Sequence, residues 1–273
     1  KDWDNWSPYG LAILEKFGIV TRPISQSEAR DALEYAVDYC RNLEGGWSPS
    51  RGLLQSADHF ASAFGDKTSH QLTGLFRKPD TSFYHDPQRE WWLYPLSKTS
   101  VNDARPHTLV VAPTGAGKTD FLVRRCIGRF FYTLPYQASI NAMYDRMKNT
   151  VPDADIRVMH ATSKILVKGD EEAQTLQPFA GASIKVLTPH QIASIIFGTA
   201  GFESVMLDLQ GCDVILDEIH TYTDISRAMV LEIVKTLVRL NCRIHVGTAT
   251  MPTILYNEIL RLLGGQEQVY EVK

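Results

Sequence analysis

The sequence predicts an α/β fold: a mostly parallel sheet covered by helices on both faces and preceded by a small helical segment. Two observations favour this class. From residue 107 onward, short apolar runs alternate with segments of helical periodicity. The apolar runs also lack the alternation of apolar and polar residues that a half-exposed sheet would have, which is typical of parallel strands buried between helical layers.

Six apolar runs are predicted to be the strands of this sheet: 107–112, 129–134, 156–160, 184–188, 213–217 and 243–248. Segments with helical periodicity separate them and predict five helices: 118–127, 137–149, 190–197, 226–240 and 253–263. Because helices separate most of these strands, the helices can cross over the sheet and leave neighbouring strands parallel.

The chain before residue 106 is predicted to be helical and irregular. Ser27 is placed to cap a helix, which Gly45 and Gly46 end. The apolar residues of that helix recur at helical spacing: Ala29, Leu33, Ala36, Val37, Cys40 and Leu43. A second helical run starts at Ser48-Pro49, since proline is tolerated in a first turn.

Residues 73–105 are rich in proline, aspartate and aromatic residues and predict an extended linker. The linker is expected to pack through its aromatic side chains, which are Phe83, Tyr84, Trp91, Trp92 and Tyr94. We therefore predict three parts: a helical segment over 1–72, a linker over 73–105 and the α/β lobe over 106–273.

Composition excludes several classes of protein. With 44% hydrophobic and 22% charged residues, the chain is neither disordered nor fibrous. The net charge of −3 gives no overall cationic signal for nucleic acid, although a local basic face stays open. No apolar run reaches the roughly 18 residues of a membrane helix, so we expect no membrane association.

The four cysteines, Cys40, Cys126, Cys212 and Cys242, form no CxxC pair. They predict free thiols in a reducing, cytoplasmic compartment and not a zinc site or a disulfide framework. The sequence starts without Met and ends just after a strand-like stretch. We therefore expect it to be a fragment of a longer polypeptide.

A glycine-rich turn joins the first predicted strand to the helix after it. Residues 109–119 read LVVAPTGAGKT, and this strand–turn–helix context is what a phosphate-loop motif requires, although Ala112 stands at the usual first glycine. The glycines let backbone N–H groups approach phosphate, and a helix N-terminus favours an anion. Lys118 is expected to contact the β- and γ-phosphates of ATP, and Thr119 to bind Mg²⁺. The predicted nucleotide-binding residues are Thr114, Gly115, Ala116, Gly117, Lys118, Thr119 and Asp120.

A second apolar strand delivers the carboxylates that such a site needs. Residues 213–220 read DVILDEIH, so Asp217 lies where the strand ends. Ligands bind at this carboxyl edge of open α/β sheets, which makes Asp217 a candidate Mg²⁺ ligand. Glu218 is then placed to orient or deprotonate the attacking water. The two motifs support each other, since each predicts the other.

These two motifs resemble motifs I and II of superfamily 2 helicases of the DExH type. Three further segments occur in the expected order: residues 133–138 resemble motif Ia, 187–191 motif Ib and 247–252 motif III. The finer resemblance is to the helicase–nuclease of type I CRISPR interference, through the blocks 131–146, 217–222 and 56–62. The last block resembles the final motif of its HD nuclease domain. The resemblance implies the end of an HD domain followed by the first RecA-like lobe.

The resemblance also implies a role for each matching residue. The implied catalytic residues are Lys118, Asp217, Glu218 and His220. Thr248 and Thr250 would couple the nucleotide state to the DNA groove. The implied contacts to the single-stranded DNA backbone are Pro135, Gln137, Thr188 and Pro189. Gln88, upstream of the phosphate loop, is a candidate for reading adenine.

The implied activity is that of a 3′→5′ single-stranded DNA translocase driven by ATP and Mg²⁺ and acting with a CRISPR surveillance complex. The ATP site of such motors also needs arginines from a second RecA-like lobe, and no motif of that lobe occurs in this sequence. An arginine finger is worth about 10³–10⁵ in turnover in other nucleotidases. We therefore expect weak nucleotide binding and little hydrolysis by this chain alone.

The HD site is incomplete in this sequence. Nuclease chemistry of that type needs several histidines and an aspartate around a divalent metal. Asp58 matches one ligand position, while His59, His70 and His85 lack a recognisable HD pair. We expect no nuclease activity here, and a metal at Asp58 only if the rest of the HD domain is present.

Two other interpretations remain open at this point. The chain could be the lobe of an unrelated DExH helicase that acts on DNA or RNA. It could also be a docking module with no catalytic role, which binds a partner through the aromatic linker, because clustered Trp and Tyr are common at interfaces.

Overall fold

The computed structural model describes residues 2–43, 46–88, 94–159, 176 and 178–273. The chain forms two compact units, Lys1–Ser48 and Pro49–Lys273. Four residues that carry sequence predictions lie outside the described ranges: Gly45, Trp91, Trp92 and His160.

The unit Lys1–Ser48 contains α1 (Trp3–Lys16) and α2 (Gln26–Arg41). The predicted cap at Ser27 is wrong, because α2 begins at Gln26 and its N-cap is Ser25. The Glu28 amide donates to the Ser25 hydroxyl (3.2 Å), and the Ser25 amide donates to the Glu28 carboxylate (2.7 Å). This capping box satisfies two amides that the first helical turn would otherwise leave unpaired.

The unit Pro49–Lys273 is built on a seven-stranded sheet with the order β3-β4-β2-β5-β6-β1-β7. Its strands are β1 (His107–Val111), β2 (Phe130–Thr133), β3 (Ile156–Met159), β4 (Ile184–Leu187), β5 (Asp213–Asp217), β6 (Arg243–Thr248) and β7 (Val269–Val272). The pairings between the described strands are all parallel. The predicted fold class is confirmed, and β7 adds a strand to the predicted six.

The helices of this unit are α3 (Pro49–Phe64), α4 (Thr68–Leu72), α5 (Ser82–His85), α6 (Lys118–Arg125), α7 (Gln137–Thr150), α8 (Pro189–Ile192), α9 (Ser194–Phe197), α10 (Phe202–Leu209), α11 (Asp224–Arg239) and α12 (Thr253–Leu262). The single helix predicted over 190–197 is two short ones, α8 and α9. Among the described residues, no single helix is long and apolar enough to span a membrane. The segments Pro189–Phe197 and Phe202–Leu209 pass that test only as a pair, bent by 115°.

The order of the strands places helices on both faces of the sheet. The chain runs from β1 through β2 to β3 toward one end of the sheet, and then back through β4, β5 and β6 to β7. Right-handed crossovers therefore put α6 and α7 on one face and α11 and α12 on the other. Helix α7 packs on β3 and β4, and α11 packs on β6 and on α12.

The predicted linker packs against the sheet unit. Tyr84 is fully buried in the core beneath α6 and α7, and its hydroxyl lies 2.8 Å from the hydroxyl of Thr150. Farther along, the Leu96 amide donates to the Ala116 carbonyl (3.0 Å) and so ties the linker to the glycine-rich turn. Phe83 and Tyr94 stay more exposed.

The end of the linker is held by one buried guanidinium. Arg125, at the end of α6, donates to the carbonyls of Val101 (2.6 Å), Asp103 (2.9 Å) and Arg105 (2.6 Å). Residues 73–105 thus belong to the same compact unit as the sheet. The predicted boundaries at residues 72 and 105 concern the domains of a longer protein and stay predictions.

Helix α3 also belongs to this unit and packs closely on α10. A Cβ atom at Gly52 would lie 2.6 Å from the backbone oxygen of Glu203, so the two helices approach each other at a glycine. The Arg51 guanidinium lies 3.0 Å from the Glu203 carboxylate and adds an ion pair to this contact.

We predict that lowering the pH destabilises the protein, in part because of a buried histidine in β1. His107 accepts a hydrogen bond from the Ile244 amide (3.1 Å), and burial, with the charges of His245 and Arg243, lowers its pKa to about 4. Between about pH 6.5 and pH 4 the unfolded chain binds a proton that the folded chain does not. The free energy of unfolding is therefore expected to fall by roughly 2 kcal/mol over this range, after allowance for solvent screening.

Urea unfolding at several pH values measures this dependence. His107→Asn keeps an acceptor for the Ile244 amide but cannot titrate, so the variant should lose that part of the slope. An unchanged slope in the variant contradicts the assignment to His107.

Candidate nucleotide-binding site

The glycine-rich turn lies between the end of β1 and the start of α6. Gly115 and Gly117 have φ angles of 84° and 88°, in the left-handed region that favours glycine. A Cβ atom at Gly117 would also lie 2.9 Å from Cβ of Tyr94. Ala112, at the position of the usual first glycine, is buried and its amide donates to the Thr248 carbonyl (3.1 Å). Ala112, where the sequence differs from the motif, therefore extends the hydrogen bonding between β1 and β6.

Lys118 is held inside this turn. Its ammonium donates to the carbonyls of Ala112 (3.0 Å) and Pro113 (3.3 Å) and lies 4.0 Å from the carboxylate of Glu218. The side chain is almost fully buried. The structure therefore brings together Lys118 and Glu218, which lie a hundred positions apart in the sequence.

Asp217 is anchored at the end of β5 by two donors. The Tyr132 hydroxyl donates to Oδ2 (2.6 Å), and the Glu218 amide donates to Oδ1 (3.0 Å). Burial and the neighbouring charge of Glu218 raise the pKa of the Asp217 carboxyl, an effect that the Tyr132 hydrogen bond and Lys118 only partly offset. A buried carboxylate of this kind favours a nearby cation.

Glu218 has a strained backbone next to this carboxylate. Its φ of 55° is unusual for a residue with a side chain and costs on the order of 1 kcal/mol. The Glu218 amide also donates to the Gly247 carbonyl (2.8 Å) of β6, which fixes the turn. The half-buried Glu218 side chain then lines the same cavity as Lys118.

His220 connects Glu218 to the end of β6. Its Nδ1 lies 2.7 Å from the Thr248 hydroxyl and 3.3 Å from the Glu218 carboxylate. The Thr248 hydroxyl donates to the Thr250 carbonyl (2.7 Å), so its oxygen is the acceptor for His220. The hydrogen of a neutral His220 ring is therefore on Nδ1. The structure joins the predicted coupling residues in one hydrogen-bonded chain.

A cavity of about 210 Å³ collects these side chains. Its lining residues are Tyr94, Thr114, Gly115, Gly117, Lys118, Thr119, Asp120, Arg146, Asp217 and Glu218. A larger cavity of about 690 Å³ lies elsewhere, near Arg77, Asp80 and Asp153, and contains none of the predicted site residues. We favour the smaller cavity as the functional site because it combines a glycine-rich turn, the buried ammonium of Lys118 and the oxygen donors of Thr119 and Asp217.

Three residues at this site were not assigned to it from the sequence. Tyr132 lies in β2 and reads as an ordinary core residue. Arg146, on α7, forms an ion pair with Asp120. Tyr94 reads as a packing residue of the linker. Gln88, by contrast, is exposed and is not among the residues that line the cavity, so its role in reading adenine stays a prediction.

The four residues implied in DNA binding lie at the ends of two paired strands. Pro135 and Gln137 follow β2, and Thr188 and Pro189 follow β4, whose Leu187 carbonyl accepts from the Leu134 amide (3.0 Å). Gln137 is exposed, but Thr188 and Pro189 are buried. The Thr188 hydroxyl bonds the Gln191 side chain and caps α8.

Asp58 lies on the exposed face of α3. Among the described residues, the group of side chains close enough to hold a metal ion is Cys126, Asp213 and His245, which does not include Asp58. In that group His245 is already bonded to Asp213 (2.9 Å) and Thr108 (3.1 Å), and burial raises the pKa of the Cys126 thiol. The metal role of Asp58 stays a prediction.

The sheet, its helices and the glycine-rich turn define the class: a RecA-like α/β lobe of the helicase type. Residues 95–257 match the family model described as DEAD/DEAH box helicase. This match covers more than half of the sequence, and the chain therefore belongs to the DEAD/DEAH box helicase family.

Two curated relatives carry the finer resemblance. The chain is 27% identical over 159 residues to the CRISPR-associated nuclease/helicase Cas3 of Methanothermobacter thermautotrophicus, an alignment that covers 53% of this chain and 19% of the relative. It is 21% identical over 240 residues to the putative Cas3 of Methanocaldococcus jannaschii, which covers 76% of this chain and 33% of the relative. The predicted similarity to the CRISPR helicase–nucleases is confirmed, and the chain spans no more than a third of either relative.

Structural similarity agrees with the sequence relatives on the fold. The crystal structure of T. fusca Cas3-ADP superposes with a TM-score of 0.56 at 17% identity, covering 69% of this chain and 24% of that one. A further sequence relative is the DExH-box ATP-dependent RNA helicase DExH15 of Arabidopsis thaliana, 28% identical over 131 residues, which cover 45% of this chain and 10% of the relative.

We predict that Gly247 allows the close approach of Asp217. A Cβ atom at this position would lie 2.6 Å from Cδ1 of Leu122 and 2.9 Å from Oδ1 of Asp217. Gly247→Ala is therefore expected to lower the free energy of unfolding by about 1–3 kcal/mol through overpacking. Urea unfolding measures the change.

Gly128→Ala is the matched control, because the nearest atom to its added Cβ lies 3.8 Å away. The control should stay close to the wild-type stability. Equal stabilities for the two variants contradict the predicted crowding.

Proposed function

We propose that this chain is the first motor lobe of an ATP-dependent single-stranded DNA translocase or helicase that takes part in CRISPR interference. The observation that carries this proposal is the convergence of Lys118, Thr119, Asp217 and Glu218 on one cavity. Lys118 and Thr119 begin α6 after the turn that follows β1, and Asp217 and Glu218 lie where β5 ends, at the carboxyl edge where parallel α/β sheets bind ligands.

The residues present fit ATP and Mg²⁺. The Thr119 hydroxyl and the Asp217 carboxylate are hard oxygen donors of the kind that Mg²⁺ prefers, and Mg²⁺ would neutralise charge on the phosphates. Gly115 and Gly117 have no side chain of their own to obstruct the approach of a phosphate to the backbone of the turn. Lys118 is a buried ammonium at the start of α6, where the helix N-terminus also favours an anion.

Glu218 is the candidate general base. A general base has to lie within reach of the attacking water and needs a partner that orients it. The Glu218 carboxylate faces the cavity, with the Lys118 ammonium at 4.0 Å and His220 Nδ1 at 3.3 Å. In this proposal His220, which contacts the Glu218 carboxylate and donates to Thr248, links the candidate base to Thr248 and Thr250.

The same edge of the sheet is the proposed path of the nucleic acid. Strand β2 pairs with both β4 and β5. The segments that follow β2 and β4 contain the proposed contact residues, which are Pro135, Gln137, Thr188 and Pro189. Contacts from a few such turns to the phosphate backbone need no strongly basic composition. The net charge of −3 is compatible with this mode.

The CRISPR context rests on the relatives. One relative of this chain is described as CRISPR-associated nuclease/helicase Cas3 and a second as a putative one, and T. fusca Cas3 has been solved in ADP and AMPPNP forms. By analogy we propose ATP as the nucleotide and a CRISPR surveillance complex as the partner. A second RecA-like lobe and an HD domain would complete the motor and the nuclease.

A second candidate is a DExH helicase lobe that acts on RNA. The similarity to the Arabidopsis RNA helicase over 131 residues favours it. The residues of the cavity serve either motor, so the two candidates differ in the nucleic acid that stimulates ATP turnover.

ATP turnover by a version of the protein that extends through the second lobe tests the proposal. Single-stranded DNA is expected to stimulate turnover, and Lys118→Ala and Glu218→Gln should each lower the stimulated rate by about 10²-fold or more. Lys235→Ala and Glu232→Gln make the same chemical changes in an exposed pair on α11 and should leave the rate unchanged.

Stimulated turnover that survives both site substitutions excludes the motor assignment. Stimulation by RNA and not by DNA supports the second candidate instead.

A further inference from the structure

The hydroxyl of Tyr132 lies between the two residues proposed to bind Mg²⁺. Tyr132 is in β2, its side chain is fully buried, and its oxygen lies 2.6 Å from Oδ2 of Asp217 and 3.4 Å from the hydroxyl oxygen of Thr119. A phenol has one hydrogen to donate, and the shorter, charge-assisted contact to Asp217 takes it. The Tyr132 oxygen is then left as an acceptor on the side of Thr119.

This arrangement fixes the orientation of the Asp217 carboxylate without using all of its hydrogen-bond acceptor positions. An ionised carboxylate has about four lone-pair positions, and Tyr132 and the Glu218 amide occupy one on each oxygen. The plane of the carboxylate is set, while each oxygen keeps a second lone-pair position that makes no hydrogen bond to the described part of the chain and is available to a metal or its water. A threonine hydroxyl that binds a metal through its oxygen can likewise still donate its hydrogen to a neighbour such as Tyr132.

Packing alone does not account for a tyrosine at this position. Phe130 lies two residues earlier on the same face of β2 and belongs to the same buried core, which shows that phenylalanine suits this layer. A buried hydroxyl costs free energy unless it is hydrogen-bonded. The bond that offsets this cost at Tyr132 goes to a carboxylate of the candidate site.

We propose that Tyr132 is a positioning residue for Mg²⁺, which holds Asp217 and Thr119 in the arrangement that binds the metal. The inference rests on the proposed function, because it assumes that the cavity takes ATP with Mg²⁺. Partners that orient metal ligands typically change metal affinity by about 10–100-fold when they are removed. Removing the Tyr132 hydroxyl is therefore expected to weaken Mg²⁺ binding and not the metal-free binding of the nucleotide.

The test measures binding of a fluorescent, non-hydrolysable ATP analogue to this chain, first in EDTA and then over a Mg²⁺ titration. Tyr132→Phe is expected to raise the Mg²⁺ concentration at half-effect by about 10-fold and to leave the affinity in EDTA unchanged. Tyr256→Phe is the matched control, because the buried Tyr256 hydroxyl on α12 has no hydrogen-bond partner among the described residues and Tyr256 does not line the cavity. The control should change neither quantity.

The outcomes separate this inference from the proposed function. If Asp217→Asn removes the Mg²⁺ dependence and Tyr132→Phe leaves it unchanged, the positioning role is wrong and the function stands. A Tyr132→Phe variant that weakens binding equally with and without metal has lost only packing, and the inference fails. If nucleotide binding by the wild-type chain does not depend on Mg²⁺, or if Lys118→Ala leaves binding unchanged, both the inference and the proposed function are wrong.

A second measurement keeps the aromatic ring and its hydroxyl in place. With 3-fluorotyrosine incorporated at position 132 alone, the fluorine NMR signal should shift when Mg²⁺ is added to the nucleotide-bound chain. A signal that does not move on addition of the metal overturns the inference even if Tyr132→Phe fails to fold.

Discussion

The parallel pairing of β5 with β2 on one side and β6 on the other is the constraint on which the site depends. Its register sets Asp217 beside Gly247 and Ile215 beside Tyr132. A shift of the register by one residue would move each side chain of β5 to the opposite face of the sheet. Lys118 follows β1, which pairs with the other side of β6, so Lys118, Glu218, His220 and Thr248 lie together because all of these strands end at one edge.

The two aspartates of β5 have opposite electrostatic environments. Burial disfavours the charge of Asp213, but His245, Arg243 and the Ile127 amide hold its pKa below the usual value. Asp217 at the other end has a raised pKa, because burial and Glu218 outweigh its hydrogen bonds. Asp213 is therefore satisfied within the fold, whereas Asp217 gains from an added cation. Of the two carboxylates, Asp217 is the one that lines the candidate cavity.

Much of the fold follows from the sequence, because strands without alternation and helices with clear periodicity are local signals. The phosphate loop and the Asp217–Glu218 pair follow for the same reason, since each is a short motif in a recognisable context. The cap of α2 was misplaced by two residues, although Ser25 and Glu28 have the spacing of a capping box. The break between α8 and α9 leaves the apolar pattern unchanged, so periodicity could not predict it.

The remaining features of the site depend on tertiary contacts. Tyr132 reads as a core residue because nothing in β2 indicates that Asp217 will lie beside it. Arg146 lies on a helix far from the motifs, and only the fold brings it to Asp120. Likewise, Thr188 could be assigned to a strand end, but not to a buried cap. Residues 73–105 lack periodicity, and their attachment to the phosphate loop through Leu96 was not predictable from composition.

A crystal structure of this chain with a non-hydrolysable ATP analogue and Mg²⁺ would show whether the cavity binds the nucleotide and the metal as proposed. We expect the phosphates to lie against the backbone of Gly115–Thr119, with the metal between Thr119 and Asp217. A nucleotide bound elsewhere, for example in the larger cavity near Arg77 and Asp153, or a metal that contacts neither residue, would contradict it.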